Sequence, residues 1–257
     1  MRAWALSLAL LIMAGCGTQP VIHPQLARPP APIDPKSLAK RLAAMQPGWP
    51  VARRVDCRHQ KCVALTFDDG PGPYTGKLLD LLRARQVRAT FFVLGQMVAA
   101  DRGGHLVRRI VADGHELGNH SWNHPPLTGL ADRRLRFQLK QTNELVERVT
   151  GVRMRMMRPP YGATNRRVAD EAGREGLAQI LWSIDTLDWH DPVPAIVARR
   201  ASRARAGAIV LMHDVHRTTV QAVPTLLNVL EKKGCTPVTI SELYGRTPQP
   251  GRTYMGR

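Results

Sequence analysis

Two carboxylates side by side, Asp68 and Asp69, open the chemically informative part of the chain, and Gly70 follows them. Adjacent carboxylates at a strand end can point in different directions. One can then bind a metal while the other acts as a base. His120 and His124 stand four apart, the spacing of one helical turn, so both imidazoles can face a single point. Two histidines and one carboxylate form a three-ligand set that leaves a coordination position open for water. Arg158 stands before Pro159-Pro160-Tyr161, and His213 near the C-terminus could supply a proton. Asp185 and Asp188 lie in a fifth segment, Asp185-Thr186-Leu187-Asp188-Trp189. Taken together, these groups fit a hydrolytic metal centre with a base and an acid.

The intervening segments must bring these residues together. Strand-like and helix-like runs alternate from about residue 60 to 240. Strands are expected over Cys62–Phe67, Arg88–Leu94, His115–Asn119, Met154–Met157, Ala178–Ile184, Ala208–Met212 and Thr236–Ile240. Helices are expected over Thr75–Gln86, Leu106–Asp113, Ala131–Thr150, Arg166–Glu175, Val193–Arg205 and Thr218–Lys233. Repeated β–α units predict a mainly parallel sheet with helices outside, in an α/β distorted, incomplete barrel. Each motif falls at or just beyond the C-terminal end of a strand, the rim where such barrels build active sites. A doubly wound open sheet is the alternative and would place the site similarly.

The chain has 257 residues, 44% of them hydrophobic, with a formal net charge of +17. That is enough for one substantial core. The charge suits a basic surface drawn to polyanions such as anionic lipid or an acidic cell-wall polymer. Nucleic acid is not expected as a partner, since the arginines are scattered and no base-stacking aromatic array accompanies them. Arg2 and the apolar run Ala3–Ala14 read as an export signal over residues 1–15, too short to span a bilayer stably. Met13-Ala14-Gly15-Cys16 resembles a bacterial lipobox, which would lipidate Cys16 and anchor the chain to the membrane of the cell envelope. Residues 16–55 are rich in proline and read as an extended tether, with a short amphipathic helix over 35–45. Residues 246–257 are polar, carry Pro and Gly, and are expected to be disordered. Export would put Cys57, Cys62 and Cys235 in an oxidising space. Three cysteines allow three single pairings, and proximity favours Cys57 with Cys62.

The order of Thr66-Phe67-Asp68-Asp69-Gly70, His120-Ser121-Trp122-Asn123-His124, Arg158-Pro159-Pro160-Tyr161, Asp185-Thr186-Leu187-Asp188-Trp189 and Leu211-Met212-His213 resembles the polysaccharide deacetylase family, the NodB-homology esterases of carbohydrate esterase family 4. The resemblance spans residues 56–245. It implies a divalent cation, zinc first, with cobalt, nickel or manganese also suited, and removal of N-acetyl groups from an N-acetylglucosamine polysaccharide. It further implies Asp69, His120 and His124 as metal ligands and Asp68 as general base, paired with Arg158. His213 would be the general acid, held by Asp185. The backbone N–H of Tyr161 would bind the oxyanion, and Trp189 with Leu211 would wall a pocket for the acetyl methyl. Asp188 has no assigned chemical role in this reading beyond capping or holding its loop. A catalytically silent glycan-binding envelope module is the alternative.

Overall fold

The computed structural model describes residues 55–257. The export signal, Cys16, the 35–45 helix and the tether up to residue 54 lie outside the described residues. β1 (Lys61–Asp68) is buried along all but its first residue, the pattern of a parallel strand covered on both faces. β2 (Thr90–Val93), β3 (Glu116–Asn119), β4 (Met156–Met157) and β5 (Ala178–Ile180) follow it in register on one side. β7 (Ile209–His213) pairs with β1, and β6 (Ile184–Asp185) pairs with β7. β8 (Cys235–Val238) pairs with the lower part of β1. The result is a curled parallel half-barrel.

Helices cover the outer face. α1 (Thr75–Ala84) buries Leu78, Leu79 and Leu82, and the short α2 (Gly95–Ala100) buries Val98. α3 (His105–Ala112) buries Val107 and Ile110. α4 (Asp132–Thr150) carries the stripe Leu135, Leu139, Val146 and Val149. It stops at Gly151, whose φ of 73° is the left-handed geometry of a helix C-terminus. α5 (Arg166–Arg174), α6 (Pro194–Ala201), α7 (Arg217–Lys232) and α8 (Ile240–Tyr244) complete the layer.

Two expectations are corrected. The strand expected over 178–184 is two strands on opposite edges of the sheet. β5 pairs with β4, whereas β6 pairs with β7. Residues 181–183 cross the gap where the barrel fails to close, and a continuous apolar run does not reveal such a change of partner. The tail also differs. Thr253–Tyr254 forms β9, parallel to β5, and Gly256 bridges Ala208 beside β7. Gln179 N–H and Leu181 N–H donate to the carbonyls of Arg252 and Tyr254, both at 2.8 Å. The Tyr254 ring lies 4.8 Å from that of Tyr244. Pairing the open edge of β5 satisfies backbone groups that would otherwise stand unpaired at the seam. Cys57 and Cys62 form a disulfide at the start of β1, and Cys235 is free and buried.

Candidate active site

β1, β3, β4, β6 and β7 end on one rim, and their last residues or the residues just beyond them meet around one cavity. Its volume is about 450 Å³, and its walls include Asp68, Asp69, His120, His124, Tyr161, Trp182, Asp185, Trp189, Leu211 and His213.

Asp69 follows β1 with left-handed backbone (φ 73°), which turns its carboxylate away from that of Asp68. Asp69 Oδ1 faces His120 Nε2 at 3.4 Å and His124 Nε2 at 3.6 Å. It is buried and has no hydrogen-bond partner. Around a tetrahedral ion with bonds of about 2.0–2.2 Å, neighbouring donors stand about 3.3–3.6 Å apart, so both distances from Asp69 suit such an ion, and the three donor atoms all lie within 4.8 Å of one another. His120 Nδ1 lies 2.7 Å from the carbonyl of Arg158, which accepts its proton and leaves the Nε2 lone pair facing Asp69. Burial lowers the His120 pKa to about 3, so the ring is neutral and able to ligate. The two histidines converge without a helix. Ser121 and His124 both have positive φ, 75° and 62°, and a looped chain turns both rings inward.

Asp68, 2% exposed, accepts from Arg158 Nη1 at 2.8 Å. Burial pushes the Asp68 carboxyl up, and the positive charge of Arg158 works against that shift. Arg158 is itself fully buried. It also donates to Thr66 Oγ1 at 2.8 Å, and to the carbonyls of Ile180 and Leu181, each at 3.1 Å, on the seam. Its guanidinium lies over the Phe92 ring at 4.3 Å. So held, Arg158 fixes the direction of Asp68.

His213 stands on the other side of the cavity, at the end of β7. Its partner is Asp188, which corrects the assignment to Asp185. His213 Nδ1 lies 2.7 Å from Asp188 Oδ1, and His213 N–H donates to Asp188 Oδ2 at 2.8 Å. Thr219 Oγ1 donates to the same oxygen at 2.6 Å. Asp185 instead accepts the N–H of Leu187 at 2.8 Å, within its own turn. Leu187 has a φ of 50°, so the chain doubles back and carries Asp188 under β7. Burial disfavours a charged His213, but the Asp188 carboxylate, helped by those of Asp68 and Asp69, outweighs burial and raises its pKa to about 9.

Tyr161 is 67% exposed, with a φ of 61°, and its ring meets His124 edge-on at 4.6 Å. Trp189 is 57% exposed and Leu211 buried, both on the cavity wall. Trp182, from the seam, is a wall residue that sequence reasoning missed, because a tryptophan in an apolar run reads as core. Asp214 was missed as well. It is fully buried beneath Gly70, where an added Cβ would lie 2.4 Å from its carboxylate. Burial pushes its pKa up to about 7 although Thr75 Oγ1 donates to it. Of the histidines outside this set, His190 pairs with Asp191 at the surface. His216 meets the His213 ring at 5.8 Å, and His115 is buried, taking the N–H of Ala89.

Residues 56–180 match the family model described as polysaccharide deacetylase. The chain is 45% identical over 199 residues to the peptidoglycan-N-acetylglucosamine deacetylase PgdA of Listeria monocytogenes, covering 77% of this chain and 42% of that protein. The match therefore spans less than half the length of that relative. The peptidoglycan-N-acetylglucosamine deacetylase of Bacillus cereus is 38% identical over 192 residues, covering 72% of this chain and 89% of that one. Among solved structures, that of "T48 deacetylase with substrate" superposes with a TM-score of 0.74 at 40% identity, over 78% of this chain and 99% of that one.

Proposed function

The chain belongs to the polysaccharide deacetylase family, and on that footing we propose that it is a metal-dependent hydrolase removing N-acetyl groups from an N-acetylglucosamine-containing polysaccharide. The observation that carries the proposal is Asp69 Oδ1, a buried oxygen with no hydrogen-bond partner that faces two imidazole nitrogens. Asp69, His120 and His124 would hold the cation, with zinc first by donor type and cobalt, nickel or manganese also suited. Such an ion supplies Lewis acidity toward both the attacking water and the acyl oxygen.

The chain's own groups do the rest. Asp68, aimed by Arg158, takes the proton of the attacking water. The backbone N–H of Tyr161, in the tight turn at the cavity edge, donates to the developing oxyanion. An amine leaves poorly unless protonated, and His213 gives it a proton from the opposite wall. The support for that role is the Asp188 carboxylate, which together with those of Asp68 and Asp69 keeps His213 charged at neutral pH. Trp189, Leu211 and Trp182 offer an apolar wall for the acetyl methyl.

Both bacterial relatives are named for peptidoglycan, and a wall glycan is the first candidate substrate, ahead of chitin-type and poly-N-acetylglucosamine chains. Export and lipid anchoring at Cys16 complete the proposal. Their support is the N-terminal sequence together with the Cys57–Cys62 disulfide, a bond that persists in oxidising compartments. The test is acetate release from peptidoglycan, chitin oligomers and poly-N-acetylglucosamine, with the metal removed and then restored. Zinc-restored release from at least one supports the proposal; no release from any refutes it.

A further inference from the structure

The inference that follows rests on the metal-site reading above. His120 and His124 bracket three residues, and two positions in this loop, Ser121 and His124, have left-handed backbone. Residues other than glycine hold that geometry only where their surroundings enforce it. Two surfaces enforce it: the N–H groups of Gly95 and Gln96 at the start of α2 donate to the carbonyls of Ser121 and Trp122, at 3.0 and 2.9 Å, and one face of α4 supplies side-chain bonds. Gln138 Oε1 accepts from Trp122 N–H at 2.8 Å and from Asn123 N–H at 3.1 Å. Gln138 Nε2 donates to Asn123 Oδ1 at 2.7 Å. Both lone pairs of the amide oxygen and one of its two N–H groups are thus spent on the loop. Asn119, at the loop's base, donates to the carbonyl of Leu139 and to Asn143 Oδ1, each at 2.8 Å, and accepts from Ser121 N–H at 2.7 Å.

Gln138 is 7% exposed and lies beside the apolar stripe of α4. A leucine or methionine of similar volume would serve packing alone, and a buried amide is retained only where its hydrogen bonds are made. Every side-chain bond recorded for this amide goes to the segment between the two histidines. Gln138 touches none of Asp69, His120 or His124 through those bonds, and it stands apart from the cavity wall.

We propose that Gln138 is a positioning residue for the metal centre. Its amide fixes residues 122 and 123, and through them the separation and direction of the His120 and His124 rings. Coordination bonds tolerate displacements of only about 0.2 Å, so a loosened loop weakens the metal while leaving the fold intact.

The experiment measures zinc affinity by chelator competition, with thermal unfolding of the metal-free protein alongside. The proteins are wild type, Gln138→Met, Gln138→Glu, Asn123→Ala and, as a control, Gln141→Met, whose side chain bonds only Glu144 on the same helix. Loss of an outer partner of a metal site typically weakens binding about 10- to 100-fold, the effect expected for Gln138→Met. Gln138→Glu keeps the acceptor for both backbone N–H groups, and Asn123 can turn its amide to donate, so it is expected to recover most of the loss. Asn123→Ala is expected to lose affinity less than Gln138→Met, and Gln141→Met not at all. A purely structural role would lower the unfolding temperature of the metal-free variant and leave affinity unchanged. A folded Gln138→Met with wild-type affinity overturns the inference. If Gln138→Met does not fold, wild-type affinity in Asn123→Ala, whose side chain is exposed, overturns it instead. Wild type that binds no zinc refutes the metal-site reading itself, a result distinct from wild type and variants binding equally well.

Discussion

Replacing Asp188 by Asn keeps the shape of the side chain and removes the charge beside His213. In the intact protein the Asp188 carboxylate, helped by those of Asp68 and Asp69, outweighs burial and raises His213 to about 9 from an ordinary value of 6.5. That difference of about 2.5 units corresponds to about 3 kcal/mol in favour of the charged ring. At pH 8 a group of pKa about 9 is roughly nine-tenths protonated, whereas one at 6.5 is protonated in about one molecule in thirty. Burial remains in the variant and favours the neutral ring, while Asp68 and Asp69 still favour the charged one, so the acid form at pH 8 is expected to fall by up to about thirtyfold. The assay is kcat/KM for acetate release from a soluble N-acetylglucosamine oligomer between pH 5 and 10. The alkaline limb should move from near 9 toward 6.5, with the activities converging in acid. The folded-state pKa lies above the unfolded value. The His213 contribution to stability is therefore complete below about pH 6.5 and is lost as pH rises through about 9. Metal-free wild type should lose up to about 3 kcal/mol across that window, and Asp188→Asn should lose less. An Asp188→Asn enzyme that keeps the wild-type alkaline limb would refute the assignment of His213 as the acid and of Asp188 as its partner.

Other substitutions probe the frame around the site. Arg158→Met leaves the Asp68 carboxylate buried without its ion pair; chemical denaturation should show a loss of about 3–5 kcal/mol, together with loss of acetate release. Replacing Cys57 and Cys62 by Ser opens a short loop far from the rim. Unfolding free energy should fall by about 2 kcal/mol with kcat/KM unchanged. Deleting residues 249–257 strips the partners of Gln179 N–H and Leu181 N–H from the seam. A loss of about 2–4 kcal/mol is expected, and a truncated chain as stable as the full one would contradict the role given to β9.

What could be read from the sequence followed from periodicity and from residue type. The apolar runs located β1, β2 and β7, because strands buried on both faces show as continuous hydrophobic segments. The stripe of α4 was equally plain. The candidate ligands were legible because Asp and His at strand ends serve packing poorly. Long-range choices were not legible. Asp185 and Asp188 are the same residue type three positions apart, and only the left-handed Leu187 between them decides which one reaches His213. The spacing of His120 and His124 suggested one turn of helix, whereas a looped chain clamped from α4 achieves the same convergence. The split of residues 178–184 between two sheet edges depends on where the barrel opens, and no local pattern encodes that. The strand at Thr253–Tyr254 is two residues long in a polar context, and its stability comes from the β5 edge it covers.

The central claim is that Asp69, His120 and His124 hold one cation that the reaction requires, between Asp68 and His213. Titrating metal-free protein with zinc while following acetate release from an N-acetylated glycan tests it most directly. The rate should climb linearly to one equivalent of zinc per chain and then stay level, with no climb in His120→Ala. Turnover that ignores zinc, or a zinc-saturated protein that releases no acetate, would contradict it.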